Sequence, residues 1–203
     1  MSIHLPFAKL SQWQKIAFSA TLIERMLPNY KIFAENSGFG NFKLIRNQLD
    51  LIWQRLDKSQ KVKINYDAQL LKLEEQIPDP QAFDFFGVYP ALDASMAVMS
   101  LLQAMQDNEG EGFDNISRLS ENSVNFYVEL CIAQELDEDN ANGESEEISQ
   151  QLIDDHPLMQ WEKDTQNELF DFLKSAPENK TTINEIKKMV SEQGLSNLGI
   201  EIS

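Results

Sequence analysis

Residues 91–106 are apolar on almost every side of a helical wheel, and that stretch constrains what the rest of the chain can be. A surface helix shows one apolar stripe; a helix that is apolar all round has to be enclosed by others. The expected architecture is therefore all-α: a single-domain, irregular bundle of about seven or eight helices packed around a central apolar helix at about 90–106. The same stretch is too short and too polar to cross a bilayer, because Asp93, Ser95, Ser100 and Gln103 interrupt it. At 203 residues the chain can build one substantial core but is short for two, so 1–203 is expected to be one domain.

Helical punctuation along the chain supports this. Ser11 with Gln14 has the pattern of a capping box and opens a helix to about Leu27. Pro28 suits the first turn of a second helix, which stops near Gly38. Asn41 and Asn65 can each cap a further helix, the first carrying Ile45, Leu49, Ile52, Trp53 and Leu56 on one face and the second ending at Pro78. Residues 78–90 read as an irregular aromatic loop. Pro90 then opens the central helix, and Asp114 caps the next one, to about Leu136. Residues 136–147 read as an acidic surface loop containing the turn signal Asn142-Gly143. A helix over about 157–174 follows, with a short lead-in at about 145–153. Thr182 with Glu185 opens a last helix that ends at Gly194, and 195–203 form a short irregular tail. Only Ile200-Glu201-Ile202 alternates at strand period, and no repeat of solenoid length occurs.

Charge narrows the function. Thirty-three acidic residues against seventeen Lys and Arg leave −16. Such a surface repels phosphate backbones and anionic lipid, and Lys187-Lys188 is the only adjacent basic pair. Direct nucleic-acid binding and membrane binding are therefore not expected; the bland reading of the charge is that it keeps the protein soluble, and the sharp one is a basic protein partner. A single cysteine, Cys131, permits no intramolecular disulfide and suits a reducing compartment. The first residues lack a basic flank followed by an apolar run, so the expected location is cytoplasmic.

Two carboxylates contradict the pattern around them. Glu24 falls inside the apolar arc of Trp13, Ile16, Ala17, Ala20, Ile23 and Leu27. A carboxylate facing a core needs a cation, a hydrogen bond or a proton. The bland reading is a structural pair with an arginine or a tyrosine; the sharp one is a ligand contact. Asp93 lies with Ser100 and Gln103 on the one polar stripe of the central helix. There it either caps the aromatic loop or walls a pocket with Asp84 and Tyr89. The candidate binding residues are Glu24, Tyr30, Asp84, Phe85, Phe86, Tyr89 and Asp93.

No catalytic residue, metal ligand or cofactor emerges. His4 and His156 are the only histidines, too few for an ordinary zinc site. Cys131 sits among Phe126, Tyr127 and Leu130 and reads as a buried, inert thiol. The spacing of Glu138, Asn140, Asn142 and Gly143 imitates the start of a calcium loop but fails at Ser145 and Ser149. Phosphate-cradling, nucleophile-elbow and zincin motifs are absent, which leans the reading away from an enzyme.

Several runs together resemble a known family. They are residues 24–30 (ERMLPNY), 38–40 (GFG), 49–53 (LDLIW), 87–94 (GVYPALDA) and 196–200 (SNLGI). In this order and spacing they resemble the YjaG-like family of bacterial proteins, a domain of unknown function. The resemblance implies a helical, soluble, cytoplasmic protein and brings no activity, cofactor or catalytic residue with it. Between Leu136 and Asp155 the sequence is longer and more acidic than that pattern. The leading functional reading is a non-catalytic protein-interaction module using the aromatic run Phe83–Tyr89. The alternative is a small-molecule binder or unrecognised enzyme with a pocket near Glu24, Tyr89 and Asp93, and a minor one is an acidic mimic of nucleic acid.

Overall fold

In a computed structural model of the chain, which describes residues 3–108, 111–139, 148–192 and 194–202, the protein is an all-α single domain. Its α-helices are α1 (Gln12–Ser37), α2 (Phe42–Leu56), α3 (Tyr66–Glu74), α4 (Val88–Asp107), α5 (Glu111–Asp139), α6 (Gln150–Asp155), α7 (Pro157–Ser175) and α8 (Lys180–Ser191). Short 3-10 turns precede α1 (Phe7–Lys9) and α4 (Pro80–Ala82).

The caps form where side-chain chemistry asks for them. Ser11 makes the expected reciprocal box: the Gln14 N–H donates to Ser11 Oγ, and the Ser11 N–H donates to Gln14 Oε1. Asn41 and Asn65 accept from Leu44 and Ala68 at the starts of α2 and α3. At the start of α7, His156 Nδ1 accepts from the Leu158 N–H. The last helix is capped by Asn179 rather than by the expected Thr182–Glu185 box. Asn179 accepts the Thr182 N–H, and Thr182 itself is buried with its hydroxyl on the Pro177 carbonyl.

Other boundaries differ from expectation. Pro28 does not open a second helix; it lies inside α1, a single helix of 26 residues that ends at left-handed Gly38 (φ 71°). An interior proline costs about 3 kcal/mol through its missing N–H and its clash with the preceding turn. Beyond it, α1 fully buries Tyr30 and Phe33, and each such side chain contributes about 1.5–3 kcal/mol on burial. That burial offsets the proline. The central helix starts two residues before Pro90, whose lack of an N–H costs nothing in a first turn. α3 stops at Glu74 and α5 starts at Glu111, before Asp114. The expected acidic loop lies outside the described residues from 140 onward, and α5 continues to Asp139. Asn140, Asn142, Gly143 and Ser145 of the calcium-like spacing, and 140–147 of the stretch that departs from the family pattern, lie outside the described residues too.

The expected apolar helix, α4, is at the centre, and α1 shares that place with it. α4 packs along α1 and α5, while α1 also touches α2, α7 and α8. Every residue of α1 from Ala17 to Ile23 is buried, which requires neighbours on all sides. The main core runs through α1, α2, α4 and α7, with further residues from α3, α5 and α8. A smaller cluster of Val124, Val128, Ile153, Met159 and Leu198 joins α5, α6, α7 and the C-terminal tail. That tail folds back on itself through an antiparallel bridge between Leu195 and Glu201. Among the described residues no helix is long and apolar enough to cross a membrane.

Candidate functional site

The seven residues singled out in the sequence take different places. Tyr30 is fully buried and its hydroxyl donates to the Gln76 carbonyl at 2.8 Å. It packs so close to Gly40 (φ 79°) that a Cβ there would lie 2.1 Å from the phenol oxygen. Burial pushes its pKa up to about 12. Asp84 is exposed in the loop before α4. Phe85 stacks on Phe33 at 5.7 Å beside Phe83, yet stays 38% exposed. These three do not meet Glu24 or Asp93 in one cavity.

Phe86 and Tyr89 do come together, with two aromatics of α5. Phe86 lies 5.5 Å from Phe126 and 5.6 Å from Tyr127, and Tyr89 meets Phe126 edge-to-face at 4.9 Å. Edge-on rings of this kind contribute about 0.5–1.5 kcal/mol beyond the area they bury. Tyr89 and Phe126 are nevertheless each 41% exposed. Asn122, Phe126 and Glu129 fall on one face of α5 at helical spacing, and all three are exposed. That face therefore sets the Phe126 ring between an amide and a carboxylate. Asp84 adds a second exposed carboxylate next to Phe85. Cys131, one turn beyond Tyr127, is partly exposed and not buried as expected.

Asp93 faces α5 as well. Ser123 Oγ donates to Asp93 Oδ2 at 2.6 Å. Burial raises the Asp93 carboxyl to about 6, and the Ser123 hydrogen bond draws it part of the way back. The polar stripe of α4 is thus matched by α5: further along, Asn115 Nδ2 donates to Ser100 Oγ at 3.0 Å.

Glu24 turns toward α2. It forms a fork with Arg46, whose Nη2 lies 2.9 Å from Oε1, and the Trp53 indole N–H donates to the same Oε1 at 2.6 Å. Arg46 also holds Asp50, four residues on. The structural pairing foreseen for Glu24 is therefore present, on a partly exposed flank of α1. The Lys187 ammonium of α8 stands 4.6 Å over the Trp53 ring, and desolvation lowers its pKa. Pro28 and Leu27 of α1, Phe42 of α2 and Val190 of α8 complete a cavity of about 390 Å³ that Glu24, Arg46, Lys31 and Lys187 also line.

The sequence reading missed the neighbouring residue. Arg25 is 2% exposed and paired with Glu162, which is fully buried. Glu162 accepts further hydrogen bonds from Ser120 Oγ (2.6 Å) and Gln166 Nε2 (2.7 Å), and Ser117 Oγ donates to Gln166 Oε1. The guanidinium stacks 4.4 Å over Trp161. Asn29 and Asn197 extend the network: Asn29 Nδ2 donates to Asn197 Oδ1, and the Asn197 N–H donates to the Arg25 carbonyl. One buried charge pair thereby ties α1, α5, α7 and the tail together; the Glu162 oxygens are satisfied, while the buried Arg25 Nη2 has no hydrogen-bond partner among the described residues. The available signal was the serine spacing Ser117–Ser120–Ser123 on the inner face of α5 together with Glu162 and Gln166 one turn apart on α7.

These features define a class: a single all-helical domain whose charged side chains are organised between helices, with an aromatic face on one pair and a mixed apolar and charged cavity on another. Within that class the chain belongs to the DUF416 family of proteins of unknown function, whose family model matches residues 2–201. It is 35% identical to the uncharacterised protein YjaG of Escherichia coli K12 over 199 residues, which span 98% of this chain and 95% of YjaG. An uncharacterised Haemophilus influenzae protein is also 35% identical, over 98% of this chain and 96% of its own length. The crystal structure of a DUF416 family protein from Shewanella baltica superposes with a TM-score of 0.82 at 33% identity, covering 98% of this chain and all of that one. The resemblance seen in the sequence is thus a true kinship.

Proposed function

We propose that the protein is a non-catalytic interaction module that seats a basic, apolar-centred segment of a partner protein on the aromatic face of α4 and α5. The observation that carries this reading is the side-by-side exposure of Tyr89 and Phe126, with the polar residues Asn122 and Glu129 on the same face of α5 and Asp84 in the loop before α4. Aromatic anchors with a polar rim are the usual composition of a docking centre. The charges of this rim, Asp84 and Glu129, are both negative, in keeping with the net −16, so the complementary partner is positive. The same charges favour a protein partner over a nucleic-acid ligand, whose phosphates they repel.

The test is affinity capture from the source cells with quantitative mass spectrometry. Two variants are compared with wild type: Tyr89→Ser/Phe126→Ser, and Asp84→Lys/Glu129→Lys. Both change exposed positions, and circular dichroism verifies their folding. The expected result is one basic partner whose recovery drops about ten-fold or more with either variant and falls as salt is raised. Equal recovery of every retained protein by all three forms sinks the proposal.

A further inference from the structure

Asp93 is a charge that the fold leaves without a counter-charge. Ser123 holds its Oδ2, while Oδ1 accepts from no described residue and is not sealed from solvent. Burial and the Ser123 hydroxyl set its titration, and no neighbouring cation takes part. The sequence shows why. From Leu73 to Glu162 it holds twenty-one Asp and Glu and a single Lys or Arg, Arg118. That arginine lines a cavity beside the N-terminal segment, with Ile3, His4 and Phe7. With its carboxyl at about 6, Asp93 is ionised at neutral pH. A half-buried, unpaired carboxylate is where an incoming cation gains most, because weaker local screening strengthens the attraction.

The carboxylate lies at the foot of the aromatic face. Tyr89 precedes Asp93 by four residues on α4, and Phe126 follows Ser123 by three on α5. The exposed Tyr89–Phe126 pair and the Asp93–Ser123 bond therefore occupy neighbouring layers of one α4–α5 seam. One helical turn rises about 5.4 Å, which a side chain lying on the rings can span to reach the carboxylate with its tip.

Arg25 shows which cation suits such a place. Its guanidinium stacks 4.4 Å over the Trp161 ring and pairs with Glu162 Oε2, while Glu162 Oε1 accepts from Ser120 of α5 at 2.6 Å. Aromatic ring, carboxylate and α5 serine recur one turn further along α5 as Tyr89 and Phe126, Asp93 and Ser123, and no cation among the described residues joins them. A planar guanidinium stacks on aromatic faces and is more weakly hydrated than an ammonium, so a half-buried acid beside rings favours arginine over lysine.

We infer that the α4–α5 seam is an arginine site: a partner's arginine lays its guanidinium against Tyr89 and Phe126 and donates to Asp93 Oδ1. This site rests on the docking role proposed for the aromatic face and names the group that anchors the partner there.

Butylguanidinium, butylammonium and the neutral butylurea, titrated into isotope-labelled protein at neutral pH and followed by backbone amide shifts, test it. Butylguanidinium is expected to move the amides of Tyr89, Asp93, Ser123 and Phe126 and to saturate, with butylammonium about three-fold and butylurea at least about ten-fold weaker. Asp93→Asn keeps an acceptor for Ser123 and removes the charge; with its fold verified by circular dichroism, it is expected to bind butylguanidinium no better than butylurea. Glu129→Gln removes a charge from the rim and is expected to change the affinity less than about two-fold. Unmoved amides, butylammonium or butylurea matching butylguanidinium, or an Asp93→Asn protein that binds it like wild type each overturns the arginine site. Partner recovery separates this failure from that of the docking role. Recovery lost with both Tyr89→Ser/Phe126→Ser and Asp93→Asn supports the site. Recovery lost with the first but kept with Asp93→Asn overturns the arginine site alone.

Discussion

Burial beside α5 raises the Asp93 carboxyl from 3.8 to about 6, and that shift has a direct consequence for stability. Between those two values the folded chain keeps a proton that the unfolded chain has released. The stability contributed by this site therefore falls as pH rises through that window and stays at the lower level above it. At 1.36 kcal/mol per pH unit the loss is about 3 kcal/mol. Asp93→Asn keeps an acceptor for the Ser123 hydroxyl and cannot ionise. The variant is expected to be more stable than wild type by about 1–3 kcal/mol at pH 7.5, with the difference closing by about pH 4. Urea midpoints across that range check this; a gap that does not change with pH would show that Asp93 is not the titrating group. Asp93 and Glu24 were legible in the sequence because each breaks an apolar pattern on its own helix. Arg25 was not, since its justification, Glu162, stands 137 positions away. Periodicity reports which face is buried and says nothing of which buried charges will meet across elements.

Gly112 sets how closely the helices α4 and α5 approach. A Cβ there would lie 2.7 Å from the Ala104 Cβ and 3.4 Å from the Ser100 carbonyl oxygen. Two effects oppose each other in Gly112→Ala. Helix propensity favours alanine by about 1 kcal/mol, while forcing packed helices apart costs about 1–3 kcal/mol. The clash is with a rigid methyl, and the same interface carries the Ser123–Asp93 and Asn115–Ser100 hydrogen bonds, so the second effect is expected to win. Chemical denaturation should show a net loss of about 1–2 kcal/mol, and adding Ala104→Gly should cost less than the two single changes together. A stabilised Gly112→Ala protein would mean that α5 does not approach α4 this closely. At this scale the sequence read well wherever a side chain caps its own helix, as at Ser11, Asn41 and Asn65. It read poorly at Pro28, where propensity argued for a break and the burial of Tyr30 and Phe33 overrode it. The central role of α1 was hidden for a related reason. Arg25 and Asn29 are buried on it and meet their partners Glu162 and Asn197 only in the folded protein, and polar residues of that kind make a core helix resemble a surface one.

For the molecule as a whole, the excess of sixteen negative charges is a force acting against compactness, because folding concentrates charges that the unfolded chain spreads apart. Added salt screens that repulsion, but it also weakens exposed ion pairs such as Lys58–Glu178, Lys174–Asp171 and Lys188–Glu192. Exposed pairs contribute about 0–1 kcal/mol each, and the Arg25–Glu162 pair lies too deep for mobile ions to reach. The repulsion is expected to dominate. Raising sodium chloride from about 10 mM to about 150 mM, which shortens the Debye length from about 30 Å to about 8 Å, should raise the melting temperature by several degrees. A gain of 1 kcal/mol moves the midpoint of a chain this size by about 2–4 °C. The shape of the curve identifies the cause. Screening saturates once the Debye length falls below the spacing of surface charges, so most of the rise should lie below about 150 mM. A rise that instead keeps growing at molar salt would reflect exclusion of the salt from the protein surface, and a fall would mean that the exposed ion pairs outweigh the net charge.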